Sequence, residues 1–169
     1  GQSNHDIQTD NYGAEINDML KYLDEHLKEN QKLYVNFHPI VQKSVKLENY
    51  KHIFPFPADI DKYEFLNSVD ALITDYSSVF FDYSVTGKPI ILFMYDYEEY
   101  MHDRGMYFDI KELPFRKIYD LETLKDCIVS EEFREDRYDN NEEYMEKFLA
   151  YDSADAARKM AELVFQDKT

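Results

Sequence analysis

The sequence predicts an α/β fold built on a parallel sheet, and three observations carry that prediction. Short apolar runs of strand length, at residues 33–37, 71–74 and 89–94, alternate with segments whose apolar residues recur every three or four positions. Proline and glycine punctuate the boundaries, with Pro39, Pro57, Gly87 and Pro89 standing where one period gives way to another. No apolar run approaches the ~20 residues that a membrane-spanning helix needs. Strands that alternate with helices favour a parallel sheet covered on both faces. The right-handed crossover rule then makes a Rossmann-like, doubly wound parallel sheet the expected arrangement.

The elements follow in order. Residues 1–11 read as a polar, poorly ordered start. From Tyr12 to about Asn30, the spacing of Ile16, Met19, Leu20, Leu23 and Leu27 predicts an amphipathic helix. A strand at 33–37 is stopped by His38-Pro39, and a second at 52–56 is ended by Pro55 and Pro57. Asp61, with Glu64 three residues on, is an aspartate form of the capping box, and Phe65, Leu66 and Val69 supply the buried stripe behind it. A strand at 71–74 leads through a two-residue turn into a helix at 77–86, closed by Gly87 and followed by a strand at 89–94. A weak strand near Ile118 and three acidic helices, at 121–129, 139–150 and 153–166, complete the chain. The first helix has no apolar strand ahead of it, which is expected of a piece cut from a longer protein.

Composition bounds the function. The chain has 169 residues, 44% hydrophobic and 32% charged, which is the balance of a globular domain. Its formal charge of −16 argues against nucleic acid and anionic lipid, both of which bind through clustered Lys and Arg. An anionic ligand must then be held by local donors rather than by a global field. The N-terminus lacks a secretory pattern, and a single cysteine, Cys127, rules out an internal disulfide and suits a reducing, cytoplasmic setting. Inside an apolar helical segment Cys127 reads as core. His5, His26, His52 and His102 have no metal-ligand spacing, and Asp59 with Asp61 only superficially resembles a metal pair.

The strongest chemical signal is Thr74-Asp75-Tyr76-Ser77-Ser78. Ligands of open α/β sheets bind at the carboxyl ends of the strands. Two hydroxyls there, beside the unpaired N–H groups that open a helix, suit a phosphate. Taken alone, the geometry leaves this reading level with Ser77 as a plain helix cap. Asp82, four residues beyond Ser78, shares its helix face and suits ribose hydroxyls, or equally a solvated position. Arg104 can pair bidentately with phosphate, or sit in a surface Arg-Gly turn. Lys88 reads as structural, and Tyr95, Tyr97 and Tyr100 as packing.

Several separated blocks agree in order and spacing with one family. They are Ala71 to Ser78, Phe81-Asp82-Tyr83, Lys88-Pro89-Ile90-Ile91, Tyr95 to Tyr100, Arg104-Gly105 with Tyr107 and Asp109, and His38-Pro39 upstream. Over roughly residues 33–113 the chain resembles the CDP-glycerol glycerophosphotransferases of teichoic-acid synthesis. The resemblance implies a GT-B glycosyltransferase fold, with residues 12–169 as its C-terminal, CDP-polyol-binding half. Its partners would be CDP-glycerol or a related CDP-polyol, an N-terminal acceptor domain of the same polypeptide and, through that domain, a membrane-anchored acceptor. No nucleic acid, cofactor or bound metal is implied. The full-length enzyme would lie on the inner face of the cell membrane.

By the same resemblance, His38 serves the donor pyrophosphate or the transfer step. Thr74, Asp75, Ser77 and Ser78 form the phosphate-contacting turn, Asp82 takes the cytidine ribose, and Arg104 continues the site. On local sequence alone, His38 before a proline reads more readily as a cap. Asn36 stands where family members often carry Lys or Arg, and Asp152-Ser153 where they carry Asp-Gly. Two other functions stay open beside the transferase, the donor half of a nucleotide-sugar enzyme and a non-catalytic nucleotide-binding module. Finally, Ala156, Ala157, Met160, Leu163 and Val164 form an apolar stripe expected to meet a partner domain.

Overall fold

The computed structural model describes residues 4–98, 102 and 110–136. The described residues form two compact units, one of 4–68 with 119–132 and the other of the described residues within 69–118 with 133–136. Among the described residues every strand pairing is parallel, as the alternating pattern requires, and the pairs fall into two sheets.

The first unit opens with helix α1, Asn4–His26. It begins eight residues before the predicted start. Asn4 and Asp6 are residue types that favour a helix N-terminus, which explains how the polar stretch joins the helix. Ile16, Leu20, Leu23 and Leu27 are buried, so most of the predicted stripe is the core face, while Met19 lies half-buried at its border. Strand β1, Leu33–Val35, pairs with β2, Ile53–Pro55, in the register Leu33 to Ile53 and Val35 to Pro55. Between them lies a short helix, α2, Pro39–Gln42, which the periodicity does not reveal because one turn has no period. Helix α3, Lys62–Ser68, is capped as expected: Asp61 Oδ1 accepts the Tyr63 and Glu64 amides at 2.9 and 3.1 Å. Its Phe65 meets Tyr34 and Phe56 edge-on, but Phe65, Leu66 and Val69 are only half-buried rather than the buried stripe expected, because a helix of seven residues covers little of the unit.

Polar side chains of α1 clamp the segment leading to β2. Asp24 accepts the amides of Lys51 and His52, at 3.1 and 2.7 Å. Asn17 donates to the Ser44 carbonyl and accepts the Lys46 amide. The approach at this point is close enough to require glycine: a Cβ on Gly13 would lie 2.4 Å from the Ser44 Cβ. Helix α5, Leu121–Ser130, completes the unit with Leu124, Cys127 and Ile128 buried. The Ile128 carbonyl at its end accepts Gln31 Nε2 at 2.7 Å, and Glu131 closes it in the left-handed region at φ 62°.

The second unit is a three-stranded sheet in the order β3, Leu72–Thr74; β4, Ile90–Phe93; β5, Arg116–Ile118. The central strand has Ile90, Ile91 and Leu92 at 0% exposure, the signature of a strand covered on both faces. Helix α4, Val79–Ser84, connects β3 to β4 and buries Phe80 and Tyr83. Gly87, at φ 66°, provides the left-handed turn that ends this stretch. The Tyr83 phenol and the Lys88 ammonium both donate to the Val69 carbonyl, at 3.1 and 2.9 Å, which gives Lys88 its structural role. Burial, and then the nearby Asp70 carboxylate, push the Tyr83 phenol well above its usual pKa. At the far edge, Arg116 grips Asp136 through two 2.8 Å bonds.

Two outcomes test this packing. Gly13→Ala should destabilise the protein by about 1–3 kcal/mol through overpacking, although alanine is the better helix former by roughly 1 kcal/mol. Denaturant unfolding measures it, and an unchanged or more stable variant would refute the close approach to Ser44. The second outcome concerns Asp120, whose carboxylate accepts the Thr123 amide and hydroxyl, each at 2.8 Å, at the head of α5. These bonds, the amide first, hold its carboxyl below the ordinary aspartate range. A depressed folded pKa means the cap contributes above the unfolded value and is lost as pH falls through the folded one. A carboxyl-carbon NMR titration should show that low midpoint, and an ordinary or raised midpoint would contradict the cap.

Candidate functional site

In the second unit, β3 delivers its last residue, Thr74, opposite Leu92 of β4, so the chain turns at the carboxyl edge of the sheet. There Asp75 uses its side chain locally: Oδ1 accepts the Ser77 amide at 3.1 Å, an Asx turn that sets the direction of the next residues. The helix cap falls on Ser78 rather than Ser77. Ser78 has φ −60° and ψ −7°, and its side chain makes no capping hydrogen bond. The bonds that open the helix come instead from backbone, with the Phe81 amide donating to the Ser78 carbonyl at 3.0 Å. Asp75, Ser77, Ser78 and Asp82 are all exposed, while Phe80 and Tyr83 anchor the opposite side of α4 in the core. The two serines and Asp82 are therefore all open to solvent in the segment that follows the end of β3.

A longer-range bond holds the same turn. The Tyr76 phenol donates to Asp96 Oδ1 at 2.9 Å, across twenty positions, in a half-buried setting. It joins the turn after β3 to the turn after β4. Both residues lie in the recognisable blocks of the sequence, yet their pairing depends on parallel register and has no local signal.

His38 belongs to the first unit. It lies three residues beyond the end of β1 and its carbonyl accepts the amides of Val41 and Gln42, at 2.9 and 3.0 Å, so its backbone opens α2 with Pro39 in the first helical position. The residue is exposed. The segment beside it contributes Asn36 and Phe37 to a cavity of about 200 Å³, completed by Gln42, Val45, Pro55 and Phe56 among others. This cavity sits where β1 and β2 end, the edge at which parallel sheets take ligands. Arg104 and the apolar stripe of 156–164 lie outside the described residues.

Comparison with known proteins identifies what this architecture resembles. The family profile of CDP-glycerol:poly(glycerophosphate) glycerophosphotransferases matches residues 5–166. A teichoic acid glycerol-phosphate primase of Bacillus subtilis is 38% identical over 104 residues, 58% of this chain and 26% of that protein. A teichoic acid poly(ribitol-phosphate) polymerase of Bacillus spizizenii is 35% identical over 104 residues, 60% of this chain and 17% of that protein. Among solved structures, the wall teichoic acid polymerase TagF superposes with a TM-score of 0.64 at 25% identity, over 88% of this chain and 37% of that one. The likeness confirms the mixed α/β, GT-B type of fold with parallel sheets. A variant of the polymerase soaked with CDPG superposes equally, at 0.63. The chain spans less than half the length of the curated relatives it matches.

The Asx turn makes a direct expectation. Asp75→Ala should speed hydrogen exchange at the Ser77 amide by removing its acceptor, whereas Asp75→Asn, which keeps an oxygen in place, should leave it protected. Equal exchange in the two variants would mean that Asp75 does not set the turn.

Proposed function

Since the chain belongs to the CDP-glycerol:poly(glycerophosphate) glycerophosphotransferase family, we propose that it is the donor-binding part of a transferase that moves glycerol phosphate from CDP-glycerol to a hydroxyl of a membrane-anchored teichoic-acid or capsule acceptor. The observation that carries this reading is the exposed Ser77-Ser78 pair beyond β3, with no side-chain cap spent on Ser78. Hydroxyls and first-turn amides presented at a strand end are donors suited to phosphate oxygens.

In this reading the phosphates of the donor lie against Ser77 and Ser78, Thr74 and the Asp75 turn shape their seat, and Asp82 accepts from the cytidine ribose. Arg104 adds a cation to the same role. The acceptor oxygen attacks the phosphorus that carries glycerol, the bond from that phosphorus to the bridging oxygen breaks, and CMP leaves. The acceptor proton passes to a base that the rest of the polypeptide supplies. His38 donates to the leaving group, easing the negative charge that develops on it. The N-terminal acceptor domain and the membrane acceptor also belong to the rest of the polypeptide. Among the described residues no helix is long and apolar enough to cross a membrane.

One relative favours a second donor. The likeness to a poly(ribitol-phosphate) polymerase, at 35% identity, makes CDP-ribitol the alternative within the same chemistry. Titrating the chain with CDP-glycerol, CDP-ribitol and a UDP-sugar separates these readings, with the first expected to bind most tightly and to shift the amides of Ser77 and Ser78. Binding of none of the cytidine nucleotides would overturn the proposal. In the full-length enzyme, His38→Ala should lower turnover by ~10²–10⁴-fold, the usual contribution of a positioned proton donor. A folded variant with near-normal turnover would leave His38 only its backbone role at the head of α2.

A further inference from the structure

The bond from Tyr76 to Asp96 ties the candidate turn after β3 to the turn after β4. Tyr76 stands between Asp75 and Ser77, so anchoring its phenol fixes the backbone from which both serines project. Its acceptor is itself held by the sheet. Asp96 lies inside a turn closed by the Tyr97 amide on the Met94 carbonyl at 3.3 Å, and the Met94 amide donates to the Ile118 carbonyl of β5 at 2.8 Å. The Asx bond of Asp75 spans two residues and moves with the turn. The phenol bond instead ties the turn to β4 and, through Met94, to β5. Asp96 is half-buried, so its carboxylate is incompletely solvated and gains from the donor.

We propose that Tyr76 and Asp96 are a positioning pair for the phosphates of the nucleotide donor: the phenol–carboxylate bond presets the Ser77-Ser78 turn before the ligand arrives. This rests on the donor-binding reading above and adds two residues to it. Neither touches the ligand. Fixing the turn in advance removes part of the ordering cost that binding would otherwise carry. The bond also occupies an oxygen of a carboxylate in the turn that follows the neighbouring strand, keeping it directed at Tyr76.

The pair makes a prediction that general stabilisation does not. The chain is titrated by NMR with CDP-glycerol and, separately, with cytidine, which lacks the phosphates. Tyr76→Phe should weaken CDP-glycerol about tenfold, or about 1.4 kcal/mol, and leave cytidine unchanged. Asp96→Asn, whose amide oxygen still accepts from the phenol, should bind CDP-glycerol like the wild type. Asp96→Ala should match Tyr76→Phe, and the double variant Tyr76→Phe/Asp96→Ala should be no worse than either alone, because the two residues make one interaction. Three results would each overturn the pair: unchanged CDP-glycerol affinity in Tyr76→Phe, an equal loss for cytidine, or additive losses in the double variant. A wild-type chain that binds CDP-glycerol no better than cytidine would instead overturn the donor-binding reading, and the pair with it.

Discussion

The central strand of the second unit sets the terms for everything around the candidate site. Ile90, Ile91 and Leu92 are wholly buried, so β4 has no face to give to water and must be flanked by a strand on either edge and covered above and below. Both flanking strands run parallel to it. Parallel pairing has a geometric consequence that antiparallel pairing lacks: the chain leaves every strand at the same edge. The turn after β3 and the turn after β4 are therefore neighbours because β3 and β4 pair in parallel, and Tyr76 can reach Asp96 for the same reason. Loss of apolar volume in β4 would reach the serine turn without touching it.

Much of this was legible in the sequence wherever a feature is local and repeated. The α1 stripe, the continuous apolar run of β4, the Asp61 cap and the glycine that follows α4 each depend on residues a few positions apart, and the structure places all of them as read. The features that escaped are of two kinds. Some are too short to have a period, such as the single turn of α2, or begin on polar residues, such as the first turns of α1. Others are made between distant positions. Nothing local announces that Gln31 meets Ile128 across 97 positions, or that Tyr76 meets Asp96 across twenty. The candidate turn was legible as a motif. Its working detail was not, because whether Asp75 faces a ligand or its own backbone is decided by a side-chain torsion.

Charge poses the remaining question, since a chain at −16 is a poor host for an anion. The local arrangement is the answer the structure offers. Of the carboxylates around the serine turn, Asp75 has an oxygen directed at the Ser77 amide and Asp96 has one directed at the Tyr76 phenol. These two carboxylates are thereby engaged in holding the turn's shape, while Asp82 stays exposed one turn into α4. In the proposed reading, the donors of the turn itself are neutral hydroxyls and backbone amides, which select by geometry more than by net charge.

The first unit is discontinuous: its core is completed by α5, which follows the whole three-stranded sheet of the second unit in sequence. During synthesis, then, the chain from Val69 to Ile118 leaves the ribosome while Gln31 and the α1 face still await their partner. At about 5–20 residues per second, that wait lasts seconds, far longer than hairpins and helices need to form. The second unit's strands can pair first, and the first unit finishes only when residue 128 has emerged. An order of assembly in which the later sheet settles before the earlier core is sealed is thus built into the path of the chain. Until that core is sealed, the part of α1 that packs against α5 stays uncovered in the nascent protein.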